Sequence, residues 1–148
     1  VVLLLVWDWN RGFNPAPLLT FIALIWTNDT GAYIVGKPLG KHKLMPRVSP
    51  GKSWEGLIGG VGLAALVAWW LMGYEWAWIG ALLGVVATAG DLVESAWKRG
   101  HAIKDSGSIL PGHGGVLDRF DGFLFAAPVF FVLVYYFDIQ FLFYRLFI

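Results

Sequence analysis

Apolar residues occupy this chain in long blocks, and polar residues gather between the blocks instead of alternating with them. Ala16 to Val35, Ser53 to Gly73, Trp76 to about Arg99 and Phe120 to about Phe137 each suit one bilayer crossing, which takes about 20 helical residues. The pattern predicts an all-α protein, a polytopic transmembrane helical bundle of four full spans plus partial helices. Val1 to Trp7 is a shorter apolar run without a basic leader, expected to be the tail of a further spanning helix. Residues 1–148 are therefore expected to be the C-terminal transmembrane region of a protein whose N-terminal helices are missing from the sequence. Asp138 to Ile148 reads as an interfacial or partial helix.

The segments between the blocks set the topology. Asp8 to Pro17 is polar and proline-bearing, so a loop is expected there. Tyr74 to Trp78 makes a short aromatic turn of the kind found at a membrane interface. Gly36 to Lys52 is a basic loop, and Gly100 to Arg119 is a charged, glycine-rich one. Most of the 11 Lys and Arg residues (Lys37, Lys41, Lys43, Arg47, Lys52, Lys98, Arg99, Lys104 and Arg119) fall in 36–52 and 98–119. Two spans separate these stretches, so both lie on one side. The positive-inside rule makes that side the cytoplasm.

Composition strengthens this reading. The chain is 57% hydrophobic and 14% charged, against about 25% charged in an ordinary soluble domain. It holds no cysteine, which excludes disulfides, thiol nucleophiles and Cys-ligated metal. No Walker loop and no HExxH zinc spacing occurs.

Against that background the polar groups stand out. Ser95 to Asp121 carries nine charged or histidine side chains just after an apolar span: Lys98, Arg99, His101, Lys104, Asp105, His113, Asp118, Arg119 and Asp121. Polar groups at a membrane edge are costly and mark a place of work. Asp91, Glu94, Ser95 and Lys98 share one helical face by spacing. Two carboxylates so placed need a cation beside them: either Lys98, Arg99 or a divalent ion, and hard oxygen ligands suit Mg²⁺ with phosphates. The alternative is an ion-pair network that only ties helices together. Pro111 to Gly115 lets backbone approach a phosphate closely, though a plain connecting loop reads the same way. Asp118 and Asp121 also suit the first turn of the last span. Asn28 and Asp29 interrupt an apolar span; they are expected to face the same cytoplasmic cavity as Asp91, with a hydrogen bond that only glues helices together as the alternative. Ser49, Lys52 and Ser53 stand at a helix start, where free N–H groups favour anions, with an ordinary cap as the alternative. Gly56, Gly59, Gly60 and Gly62 allow the following span to pack closely on another helix. One edge thus offers carboxylates for a cation and basic side chains for phosphates. A lipid with an anionic head and a soluble phosphate compound, such as a nucleotide, are the reactants this suits.

Three stretches resemble one known family. They are Asn28-Asp29-Thr-Gly-Ala-Tyr33; Ser49-Pro50-Gly-Lys52-Ser53-Trp54-Glu55-Gly56; and Ser95-Ala-Trp-Lys98-Arg99, continuing through Lys104-Asp105-Ser and Leu110-Pro111-Gly-His113-Gly114-Gly115-Val-Leu-Asp118-Arg119-Phe-Asp121. This order is similar to the signature of the phosphatidate cytidylyltransferases, and the likeness runs from about residue 16 to 137. It departs at Gly51, where that pattern has Lys or Arg, at Ser53, often Thr, and at Trp97, commonly Phe. The resemblance implies synthesis of CDP-diacylglycerol and pyrophosphate from CTP and phosphatidate with Mg²⁺. Asp91 and Asp118 resemble its metal-binding aspartates. Lys98, Arg99, Lys104, Asp105, His113, Arg119 and Asp121 match its catalytic polar cluster. Asn28, Asp29, Ser49, Lys52, Ser53, Glu94, Gly114 and Gly115 are the candidates for holding the nucleotide and lipid phosphates. The expected setting is a multi-pass protein of the cell inner membrane, a homodimer, with its site facing the cytoplasm and no nucleic acid among its partners.

Two other enzyme classes use related chemistry. A CDP-alcohol phosphotransferase expects DG-x2-AR-x8-G-x3-D-x3-D, which this chain lacks. A lipid or polyprenol kinase would direct attack to a γ-phosphate. A transporter would spread its polar groups along several spans near the midplane, whereas here they collect at one edge.

Overall fold

A computed structural model describes residues 7–8, 12–101 and 117–137, with side chains described for 14–101 and 122–137. Two short strands, β1 (Trp7–Asp8) and β2 (Gly12–Phe13), pair antiparallel where the apolar run ending at Trp7 meets the stretch expected to be loop. Helix α1 (Ala16–Leu39) follows, entered through Pro17 and an Asn14 side chain whose Oδ1 accepts the Ala16 N–H at 3.0 Å. A hairpin of β3 (Lys43–Met45) and β4 (Ser49–Ser53) leads into α2 (Trp54–Met72). A single 3₁₀ turn (Tyr74–Trp76) joins α2 to α3 (Ala77–Gly100), and α4 (Leu117–Tyr136) closes the described chain.

Three helical stretches are long and apolar enough to cross a membrane, Ala16–Leu39, Trp54–Met72 and Tyr74–Gly100. The fourth apolar block forms α4, whose described apolar stretch, Gly122–Tyr136, is shorter. The fold is thus a helical membrane protein with two small hairpins at its edges.

Close packing follows from a stripe of small residues. The buried positions of α2 are Gly56, Gly60, Ala64, Ala68 and Met72, one every four residues. This spacing puts them on one face, where missing side chains let backbones approach. Gly56 meets Gly36 of α1, Gly59 meets Val35, and Gly60 meets Asn28 and Ala32. On the α3 side, Gly80 lies directly against the Ala64 carbonyl. Gly62 differs from its neighbours: it packs on nothing among the described residues. In lipid, helix association depends on such contact packing, because burying an apolar side chain from lipid gains little.

At the other end of the bundle larger side chains fill the core. Phe21 stacks on Phe130 at 5.3 Å and meets Phe123 edge-on at 5.6 Å, joining α1 to α4. Phe137, just past α4, packs on Trp76 and Trp78 at the start of α3. Farther along α3, Ala87 meets Gly122 and Gly90 meets Phe125. Helix α4 therefore runs antiparallel to α3, and its first turns stand at the edge where α3 ends. Trp26, Trp70, Tyr135 and Tyr136 remain exposed on the outer surface, as lipid-facing and interfacial aromatics do.

Candidate functional site

The site begins with how β4 is held. Ser53 is buried, its extended backbone leads into α2, and its Oγ accepts the Gly56 N–H at 3.1 Å. The Glu55 carboxylate, in the first turn of α2, accepts the His42 backbone N–H at 3.2 and 3.3 Å. It also lies 2.6 Å from His42 Nδ1. The Trp54 N–H donates to the His42 carbonyl at 2.9 Å. These bonds clasp the hairpin to the helix start and satisfy donors that a helix N-terminus leaves open. Lys52, just before the cap, is consequently aimed across the bundle at α3, where it forms an ion pair with Asp91.

Between these parts lies a cavity of about 480 Å³. Helix α1 contributes Asn28, Asp29, Tyr33 and Lys37, the hairpin Lys52 and Ser53, and α3 Thr88 and Asp91. The structure thus brings together Asn28, Asp29, Lys52, Ser53 and Asp91 from three segments distant in sequence. Asp91 also accepts the Ser95 hydroxyl at 3.2 Å. Asn28 is 2% exposed, and its Oδ1, lying between Gly60 and Gly84, has no hydrogen-bond partner among the described residues. An orphaned buried oxygen costs about 1–3 kcal/mol, so a donor or cation there would be stabilising.

Other candidates are placed elsewhere. Glu94 turns to Lys98 one helical turn on, at 3.2 Å, and neither lines the cavity. Ser49 opposes Met45 in the hairpin and is likewise outside the lining. Arg99 is exposed in the last turn of α3. The backbone of Asp118, Arg119 and Asp121 lies on the first turns of α4, at the same edge as Asp91, while their side chains are outside the described residues. Lys104, Asp105, His113, Gly114 and Gly115 lie outside the described residues altogether.

Three lining residues with polar side chains, Thr88, Tyr33 and Lys37, are not among the site residues expected from sequence. Thr88 precedes Asp91 by one turn, so the face Thr88, Asp91, Ser95 was present in the spacing. Lys37 and Tyr33 continue the Asp29 face at intervals of four. The expected end of the span at Val35 had cut Lys37 from that face. The helix instead runs to Leu39, because Pro38 falls in the last turn and the Gly40 N–H closes on the Gly36 carbonyl at 3.0 Å.

A cluster of three or more carboxylate or histidine groups placed for a metal does not occur among the described residues. The oxygens of Asp29, Asp91 and Asn28 around one cavity are nevertheless the hard donors that Mg²⁺ accepts, and the unsatisfied Asn28 Oδ1 fits such a use.

Residues 1–137 match the Cytidylyltransferase family. The chain belongs to that family. A phosphatidate cytidylyltransferase of Bacillus subtilis is 49% identical over 128 residues, covering 78% of this chain and 48% of that protein. One from Synechocystis is 45% identical over 141 residues, covering 88% and 46%. One from Staphylococcus aureus (strain COL) is 44% identical over 125 residues, covering 79% and 48%. The chain therefore spans about half the length of these cytidylyltransferases. All three alignments are long enough to take in most of the helices that build the cavity.

Proposed function

We propose that this chain carries the catalytic region of a phosphatidate cytidylyltransferase, which makes CDP-diacylglycerol and pyrophosphate from CTP and phosphatidate. The observation that carries the reading is the convergence of Asp29, Lys52 and Asp91 on one cavity at a membrane edge, in a chain of this family. An oxygen of the phosphatidate phosphate attacks the α-phosphorus of CTP. The bond from that phosphorus to the bridging oxygen of the β-phosphate breaks, and pyrophosphate leaves with the bond's electron pair. No strong general base is needed, because the attacking phosphomonoester is already ionised near neutral pH. Asp91 and Asp118 would hold Mg²⁺, with the Asn28 and Asp29 oxygens within the same cavity. When bound, the ion supplies charge stabilisation to phosphate oxygens. Lys52 leaves Asp91 for a phosphate oxygen, and Arg99, Lys104 and Arg119 take others, Arg through its two-pronged grip. Lys98 lies two turns beyond Asp91 and pairs with Glu94 beside the site. His113 orients phosphate as a donor, Asp105 and Asp121 fix the neighbouring cations, and the Gly114–Gly115 backbone offers close N–H approach. Ser49 and Ser53 hold the hairpin that presents Lys52.

Helix α4 completes a fourth span. The basic hairpin and the α3–α4 connection then face the cytoplasm from the inner membrane, the protein is a homodimer, and nucleic acid is no partner. The test is incorporation of cytidine-labelled CTP into lipid in the presence of phosphatidate and Mg²⁺. Label in the lipid phase, with pyrophosphate released in equal amount, supports the reading. A γ-labelled lipid from γ-labelled CTP would instead show a kinase.

A further inference from the structure

The cavity has two ammonium groups in its described lining, and they are not alike. Lys52 is paired with Asp91, and Asp29 is the other carboxylate close to it. Lys37 donates to the Tyr33 hydroxyl at 2.8 Å, with its Nζ 5.0 Å from that ring's centre. A phenol carries no charge, so among the described residues this bond leaves the lysine charge without a carboxylate partner. It also leaves the phenol proton unused, since the tyrosine oxygen is the acceptor. Two donors, one charged, are therefore set side by side on the cavity wall.

That wall is continuous with the membrane-facing surface. Tyr33 is 62% exposed while still lining the cavity, and Ile34 beside it is 59% exposed. Trp26 and Leu39 extend the same apolar exterior of α1. A nucleotide can enter a cavity from water at any angle. A phosphorylated lipid cannot, because its tails stay in the bilayer and its phosphate reaches only as far as its glycerol allows. Its docking group must stand where cavity and lipid surface meet.

Resting on the nucleotidyl-transfer reading above, we propose that Tyr33 and Lys37 seat the phosphomonoester of the lipid acceptor, and so govern affinity for the lipid and not for the nucleotide. Lys37 supplies the compensating charge and Tyr33 a directed O–H donor, which orient the attacking phosphate oxygen into the cavity.

The experiment measures initial rates with the natural protein in phosphatidate–detergent mixed micelles, varying phosphatidate and CTP separately. A charge-assisted hydrogen bond at a partly solvated site corresponds to about tenfold in affinity. Lys37→Met is expected to raise the KM for phosphatidate by about that factor, with the KM for CTP changed less than about twofold. Lys37→Arg is expected to recover most of the loss, and Tyr33→Phe to shift the same KM by a smaller factor. A rise in the KM for CTP instead, equal impairment by Met and Arg, or a loss of kcat alone would overturn the assignment. Should Lys37→Met not fold, Tyr33→Phe removes one oxygen from an exposed side chain and decides alone: an unchanged KM for phosphatidate overturns it. A wild-type protein that puts no cytidine label into lipid overturns the nucleotidyl-transfer reading itself, a result distinct from all of these.

Discussion

Gly60 and Gly62 sit two residues apart on α2, and the same substitution should have opposite consequences at each. A β-carbon on Gly60 would stand 2.6 Å from the Asn28 carbonyl oxygen, 2.9 Å from Asn28 Oδ1 and 3.1 Å from the Ala32 β-carbon. Carbon and oxygen need more room than this, and the first obstacle is backbone, so α1 must move away by something on the order of 0.5 Å or more. Overpacking of this kind costs about 1–3 kcal/mol. The displaced residue is Asn28 itself, whose neighbour Asp29 lines the cavity. A shift of about 1 Å in a positioned group can cost about 100-fold in rate. A β-carbon on Gly62 meets nothing within 4 Å. Gly62→Ala should therefore be neutral or slightly stabilising, because alanine is the better helix former by about 1 kcal/mol in an exposed position. Thermal unfolding in detergent and turnover of labelled CTP into lipid, measured on both variants, provide the comparison. If Gly60→Ala matches Gly62→Ala in stability and rate, the α1–α2 contact does not position the cavity and the packing argument fails.

Asp91→Asn should lower turnover by about 100-fold or more and weaken Mg²⁺ binding measured by titration calorimetry, because it removes a charged oxygen at the centre of the cavity; full activity would remove Asp91 from the site. Asp91→Asn combined with Lys52→Gln should cost less stability than the two single changes added together. The coupling is expected to be about 1 kcal/mol or less, since both side chains remain partly in solvent, and thermal melts of the cycle measure it. Ser53→Ala should destabilise by about 1 kcal/mol through loss of the cap on α2, with a raised KM for CTP as the Lys52 backbone loosens; an unchanged melt would show that the Glu55–His42 clasp alone fixes the hairpin.

Hydropathy and helix length are tied by bilayer thickness, so the four apolar blocks were legible as helices, three of them long and apolar enough to cross a membrane and the fourth shorter. The end of α1 was not legible. Gly36, Lys37 and Pro38 look like helix-breaking residues, yet Gly36 is where α1 touches Gly56, and Lys37 has Tyr33 to bond. The hairpin before α2 was also hidden. Its second strand, Ser49-Pro50-Gly51-Lys52-Ser53, holds residues that strands avoid, and what stabilises it is the tertiary clasp between Glu55 and His42. Among site residues, polar groups inside apolar spans gave the clearest signal: Asn28, Asp29 and Asp91 do meet. The helical spacing of Asp91, Glu94 and Lys98 suggests one functional face, but Glu94 and Lys98 form an ion pair outside the cavity lining. Periodicity finds the face and is blind to which neighbours a side chain chooses.

The charges in the cavity wall carry the argument one step further. Among the described lining residues, the carboxylates of Asp29 and Asp91 balance the ammonium groups of Lys37 and Lys52. A wall that is neutral in sum cannot by itself hold a triphosphate and a phosphomonoester in contact, since like charges a few ångströms apart repel strongly where water is scarce. On the proposed reading, the missing positive charge must arrive with the reactants or from the end of α3 and the segment after it. Asp91 and Asp29 would hold a divalent ion, whose charge would offset theirs, and Lys52 would then be available to a phosphate. Lys98 pairs with Glu94, and Arg99, Lys104 and Arg119 are the cations proposed to complete the balance. The ordering of the reaction follows from the same account. The pair between Lys52 and Asp91 should hold the cavity together while it waits, and it should open only when both a cation for Asp91 and a phosphate for Lys52 are present. Neither charge is then stranded in a place where solvation is poor.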